Sequence, residues 1–333
     1  MKRKYIGFMF ILLLIFAFFM SLRFGSYPLS FEDIFQTLAG NGSKAQEFAL
    51  YQVRLPRSIL ALIVGYALGV SGGILQSISK NQLAEPGMIG INAGAAFFVV
   101  LWISFSTSQY YSSMTISNTI LMPLIAIAGS LCICSLIYFL SYKKGIQPIR
   151  FLLVGIGINA AINALITFFQ LQMNKVDFYQ VLTWTNGSLW GSSWQYILFT
   201  FPILFILVII TLYKAKTLDA LSFQDEIAIG LGVRIQKERF IFLLIAASLA
   251  AVSTSIAGNI AFLGLLGPQI AKKTVGGFHR KMLFYAGISS AILLLMADIL
   301  ARNLFSPIEI PAGILVSILS IPYFLYLIFT SNN

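Results

Sequence analysis

The sequence predicts an all-α integral membrane protein. The 333-residue chain is 58% hydrophobic and only 10% charged, whereas an ordinary soluble domain carries roughly 25% charge. Apolar runs long enough to cross a bilayer recur along its whole length. They are longer than the strands of a membrane barrel and do not alternate as such strands do, so they are expected to be helices. The net charge of +11 follows from cationic loops on the cytoplasmic side and calls for no nucleic-acid partner.

Ten candidate spans follow in order, at about 5–22, 57–77, 89–105, 119–141, 150–170, 195–213, 240–258, 259–271, 282–301 and 311–329. The first, "MKRKYIGFMFILLLIFAFFMSL", has the basic-then-apolar form of a signal peptide, but no good small-residue cleavage site follows it, and it is expected to stay as a helix. The eighth is short and interrupted by Gly264, Gly267 and Pro268. Broken helices of this kind need surrounding protein to satisfy the freed backbone. With the N-terminus inside, sixteen of the 22 Lys and Arg residues, Lys143 and Lys144 among them, fall on the cytoplasmic side, which fixes an N-in, C-in topology. The only two cysteines, Cys132 and Cys134, are two positions apart on a helix and are not expected to pair.

Arg54, Arg57 and Arg302 stand outside against that charge bias. They could snorkel to lipid headgroups. Alternatively, they could receive carboxylates of an external protein, which guanidinium groups bind bidentately. Asp298 lies one turn before Arg302 and could hold it in place. The outer loop, 24–56, contains "SFEDIFQTLAG". There Ser30 and Asp33 make a capping box, and Phe31, Ile34, Phe35 and Leu38 form an apolar stripe. A short amphipathic helix packed on the bundle is expected.

The longest and most charged cytoplasmic loop, 214–239, reads "KAKTLDALSFQDEIAIGLGVRIQKER". Ser222 with Asp225 suggests an N-cap, and Gly230 and Gly232 a helix end. Either it is a solvated connector or it seats in a groove of a cytoplasmic motor subunit. Enzyme chemistry is absent: there is one histidine, so no histidine cluster for metal, and no Gly-Lys pair, which excludes a phosphate-binding loop. Any ATP hydrolysis belongs to another chain, and no cofactor is expected on this one. Among polar residues at membrane depth, Asn159, Asn163 and Gln170 share one face of the fifth span, as a path lining would. Gln76, Asn81, Gln82 and Asn92 cluster around the end of the second span and the start of the third.

Several motifs carry a resemblance: "RLPR" at Arg54–Arg57, "SGGILQSISKNQLAEPGMIGINAGA" at Ser71–Ala95, "IAIGLGV" at Ile227–Val233, "AFLGLLGPQIAKKTVG" at Ala261–Gly276 and "ADILARNLFSPIEIPAGIL" at Ala297–Leu315. Together, and in this order, they resemble the FecCD family of binding-protein-dependent ABC importer permeases, the group of vitamin B12 and ferric-siderophore permeases. The resemblance implies a single type II permease domain over 1–333 with ten spans. It implies a second permease subunit, either an identical copy or a distinct paralogue, two cytoplasmic ATPase subunits and an extracytoplasmic binding (lipo)protein in a bacterial cell membrane. It assigns docking to Arg54, Arg57 and Arg302. It assigns coupling to the ATPase to the stretch with Asp219, Leu221, Glu226, Ile227, Gly230 and Gly232. It assigns the path and inner gate to Asn81, Leu83, Asn159, Asn163 and Gln170. An iron–siderophore cargo is expected by analogy, with cobalamin or haem as alternatives. An ion-coupled secondary transporter built of inverted repeats is the reading from another class. The chain departs from the family pattern at Gln82 for a proline, Gln269 for a histidine, Lys272 or Lys273 for an arginine, and in "LSIP" at Leu319–Pro322, which lacks a glycine.

Overall fold

A computed structural model describes residues 2–25, 27–105, 116–143, 148–306 and 308–331; Lys144 lies outside them. The described chain is helical. In order it forms α1 (Lys2–Arg23), α2 (Phe31–Leu38), α3 (Lys44–Glu47), a π-helical turn (Phe48–Arg54), α4 (Leu55–Ser79), α5 (Pro86–Ile89), α6 (Ile91–Phe105) and α7 (Ile116–Ser141). It continues with α8 (Pro148–Leu171), α9 (Lys175–Thr185), α10 (Trp194–Tyr213), α11 (Ala215–Leu221), α12 (Asp225–Gly230) and α13 (Ile235–Ala257). The last three are α14 (Leu263–Val275), α15 (His279–Asn303) and α16 (Ala312–Ser331). Among the described residues seven helices are long and apolar enough to cross a membrane. The segments expected at 89–105, 259–271 and 311–329 are helical too, but α6, α14 and the apolar part of α16 are shorter.

The centre of the bundle is α4, flanked by α13, α14 and α15. It is the most enclosed of the long helices, whereas α1, α8 and α10 keep broad apolar faces exposed. Its small residues explain why: Gly65, Gly69, Gly72 and Gly73 let neighbouring backbones come close. A Cβ at Gly72 would collide with the backbone of Gly264, while one at Gly157 on α8 would meet nothing within 4 Å. Gly72→Val should therefore cost about 1–3 kcal/mol or more through forced separation of α4 and α14. Gly157→Ala should be neutral or slightly stabilising. Thermal unfolding of the purified variants checks both.

Two expectations about helix ends need correction. The second span begins far earlier than residue 57, because α3 and the π-helical turn run without interruption into α4, giving a 36-residue helix from Lys44 to Ser79. Pro56 sits in the first turn of α4, where its missing N–H is tolerated because the π turn precedes it. The eighth span is displaced: the chain is broken at 258–262, with Gly258 and Phe262 both at φ +68, and α14 starts only at Leu263. Both cysteines are free thiols.

In the 24–56 loop the capping box forms as read: Ser30 Oγ accepts from Asp33 N–H at 3.0 Å, and Asp33 Oδ2 accepts from Ser30 N–H at 2.7 Å. The Ser30 hydroxyl, donating to Oδ2 at 2.6 Å, and the Ser30 backbone N–H hold the Asp33 carboxyl below its ordinary range. The apolar stripe of α2 is only partly used. Ile34 is buried with Leu22, Leu29 and Leu50, fixing α2 to the bundle, but Phe35 and Leu38 remain exposed.

Candidate functional site: a buried arginine cluster and a tied loop

Around the last turns of α1 and α15 and the start of α4 the three arginines are buried, each at 3–5% exposure, and all turn inward. The Arg57 guanidinium donates to both oxygens of Asp298 (2.9 and 3.2 Å) and to Glu309 Oε2 (2.8 Å). Arg302 reaches Asp298 Oδ2 at 3.2 Å and donates to Ser21 O and Oγ at 3.1 and 3.0 Å. Arg54 donates to the carbonyls of Leu22 (2.6 Å), Arg23 (2.8 Å) and Tyr27. The Leu22 and Arg23 carbonyls end α1, where the helix dipole favours a cation, and Tyr27 lies in the segment that follows. Asp298 is 0% exposed and is shared by two arginines, so it holds Arg57 as well as the expected Arg302. None of these side chains projects as a free arm. Together they clamp the last turns of α1 and α15 to the start of α4.

The 214–239 loop forms α11 and α12. The Ser222 cap does not form: Ser222 Oγ donates back to Asp219 O at 2.7 Å, and the N-cap of α12 is Gln224. Asp225 is drawn elsewhere, to Lys80 Nζ at 3.0 Å and Arg239 Nη2 at 2.8 Å. Burial opposes its ionisation, but the hydrogen bonds and charges of Lys80 and Arg239 outweigh that and hold its carboxyl below the usual value. Asp219 accepts from the backbone N–H of His279 at 2.9 Å and meets its Nδ1 at 2.7 Å. Leu221 is buried. Glu226, Ile227, Gly230 and Gly232 are exposed, with Gly232 at φ +80, a conformation that suits glycine. Phe223, Ile229 and Leu231 are exposed beside them, so the loop presents a compact apolar surface on its free side.

The residues expected to gate and line a path occupy two places. Asn81 caps the turn after α4 by accepting from Leu83 N–H at 2.8 Å, and Leu83 packs on the Leu265–Leu266 pair, as Tyr323 and Phe324 also do. Asn159 lies against the Gly90 turn between α5 and α6. It accepts from Asn163 Nδ2 through Oδ1 at 3.0 Å, while Gln170 is partly buried near the far end of α8. Two departures from the family pattern meet: Gln269 Nε2 donates to Gln82 O and to Gln76 Oε1, both at 3.1 Å. Gln76 in turn donates to the Gly264 carbonyl at 3.2 Å.

Three residues escaped the sequence reading. Glu85, the N-cap of α5, is 3% exposed, and burial pushes its carboxyl up to about 7 against a hydrogen bond from the Phe262 backbone. A glutamate before proline amid small and apolar residues was the available signal. Asn259, in the break before α14, accepts from Asn92 Nδ2 at 2.9 Å. His279, set aside because one histidine cannot make a metal cluster, is buried and bonded on both ring nitrogens.

The model of the FecCD transport family matches residues 13–330. The chain belongs to that family. Among its FecCD relatives, the iron(3+)-hydroxamate import system permease protein FhuG of Bacillus subtilis is 44% identical, covering 96% of this chain and 95% of its own. The hemin transport system permease protein HmuU of Yersinia pestis is 36% identical, over 98% and 95%. A solved metal-chelate type ABC transporter in an inward-facing conformation is 30% identical with a TM-score of 0.84, covering 97% of this chain and 98% of that one. The architecture is thus that of a FecCD ABC-transporter permease.

Proposed function

We propose that this chain is the membrane-embedded permease subunit of an ATP-binding-cassette importer that takes up a ferric siderophore of the hydroxamate class. The observation that carries this reading is the near-complete alignment with a ferric-hydroxamate permease at 44% identity. In this reading the chain crosses a bacterial cytoplasmic membrane ten times with both termini inside, and the distribution of its lysines and arginines supports that topology. A second permease subunit, identical or distinct, completes the path, and Asn81, Leu83, Asn159, Asn163 and Gln170 contribute to gate and lining. An extracytoplasmic binding protein docks over the arginine cluster. Three arginines against Asp298 and Glu309 leave a surplus of positive charge there, and an arriving carboxylate has to compete with those two residues. The chain itself binds no cofactor; ATP is used by two cytoplasmic subunits that seat against the exposed apolar side of α12.

The test is uptake. Deleting the gene should abolish accumulation of radiolabelled iron presented as hydroxamate chelates and spare catecholate and carboxylate chelates. Loss of haem uptake instead would favour the second reading, which the hemin permease relative supports. For the cytoplasmic contact, Ile227→Asp with Ile229→Asp should prevent co-purification of the ATPase subunits, because apolar surface at such a contact is replaced by charge. Unchanged co-purification would make the loop a connector.

A further inference from the structure

The cytoplasmic loop is tied to the rest of the chain at two points, and both lead to the last turn of α4. In the first, Asp219 of α11 holds His279 through its backbone N–H and Nδ1 (2.9 and 2.7 Å), and His279 Nε2 lies 2.7 Å from Ser77 Oγ. In the second, Lys80 Nζ donates to Phe223 O at 2.8 Å and to Asp225 Oδ1 at 3.0 Å, on the loop that carries α12. Ser77 and Lys80 flank the end of α4, and Lys80 is its left-handed C-cap at φ 49. The next residues are Asn81 to Leu83, the turn that packs on α14. Nothing else in the loop makes such directed contacts with α4: the exposed face of α12 points away.

The chemistry of the first tie makes it persistent. A carboxylate oxygen only accepts, so Nδ1 of His279 carries a proton. With a neutral ring, Ser77 donates its hydroxyl proton to Nε2. With a charged ring, Nε2 donates to Ser77 and the serine proton goes to Gly73 O, 2.7 Å away. The contact survives in both protonation states, so it links α11 to α4 whatever the charge on the ring. The histidine is buried at the start of α15 and also bonds through its own backbone, so it is held in place while it bridges two moving parts.

We propose that His279 is a positioning residue for coupling: it transmits displacement of α11 to the end of α4, and so to the gate turn at Asn81–Leu83, with Lys80–Asp225 as the parallel link. This rests on the reading that α12 meets the ATPase subunits. The test uses the complete transporter in proteoliposomes. Ser77→Ala is the gentlest break, since it removes one hydroxyl from the surface of a long helix; Asp219→Ala cuts the same tie from the other side. Each should leave ATPase subunits bound and ATP hydrolysed while cargo imported per ATP falls about tenfold. The double variant should be no worse than the poorer single one, because both act through one contact. Asp219→Asn, which keeps an acceptor for His279, should recover most of the coupling.

Unchanged cargo per ATP in Ser77→Ala and Asp219→Ala overturns the proposal. So do additive losses in the double variant, or hydrolysis and import falling in equal proportion. Failure of the underlying reading gives a different signature: Ile227→Asp with Ile229→Asp would leave the ATPase subunits bound.

Discussion

Replacing Asp298 by alanine should destabilise the folded permease by about 3–5 kcal/mol, because it strands two buried guanidinium groups. Asp298 is fully enclosed and is the carboxylate shared by Arg57 and Arg302. Glu309 satisfies only one nitrogen of Arg57, at 2.8 Å, and does not reach Arg302 by any ion pair among the described residues. The neighbouring arginine Arg54 is engaged with backbone carbonyls and cannot compensate. The loss should show as a lower unfolding temperature and less protein recovered from membranes. Removing the charge on both sides, with Asp298→Asn and Arg302→Met together, should recover part of it, because the remaining Arg57 keeps Glu309. Glu309→Gln, on a partly exposed carboxylate, should cost far less than Asp298→Ala. Equal effects at Asp298 and Glu309 would contradict the burial argument.

The second large effect is a pH dependence set by Glu85. In the folded chain its carboxyl titrates at about 7, against 4.5 for the ordinary group. The native state therefore holds a proton that the unfolded chain releases. The stability linked to this group is fully present below pH 4.5, declines as pH rises from there, and is lost once pH has passed 7. The total is about 3 kcal/mol, from the 2.5-unit difference at 1.36 kcal/mol per unit. Glu85→Gln keeps the shape and removes the titration, so its unfolding temperature should stay flat between pH 5 and 8 where the parent's falls. An identical slope in the variant would assign the pH dependence to another group. The neutral carboxyl fits its surroundings: the only hydrogen bond acting on its titration comes from a backbone amide, and no charged side chain contributes.

Much of this molecule could be read locally. Apolar length marks helices because the membrane demands it: seven of the expected segments lie in helices long and apolar enough to cross, and the other three in helices with a shorter apolar part, the one expected at 259–271 starting only at Leu263. The Ser30–Asp33 box forms because its partners are three residues apart, and the one distant donor, Gln46, takes only the other carboxylate oxygen. The same pattern at Ser222–Asp225 fails because Lys80 and Arg239, distant in sequence, take the aspartate. Family motifs pointed to Arg54, Arg57 and Arg302. Beyond the Asp298–Arg302 pair one turn apart, their inward turn could not be read, since the partners that decide it lie as far as 281 positions away. His279 was dismissed for lacking companions of its own kind, when its role comes from unlike neighbours, a carboxylate and a hydroxyl. The α2 stripe located the helix's apolar side, but period alone does not say which of its members touch protein.

The wide turn at Phe48–Arg54 has a consequence for how this chain can change length. A π-helical turn holds one residue more than the α-helical turn it replaces. Losing a single residue there would let the turn relax to regular α-helix, leaving the helix below in phase with its neighbours. The same deletion within α4 would rotate everything after it by about 100° and carry Ser77 and Lys80 away from the loop they hold. Related chains that differ by one residue ahead of the Arg54–Arg57 motif should therefore fold alike, whereas such differences should be missing between Leu55 and Ser79. The turn is a slack link in the chain, placed just before the part that has none.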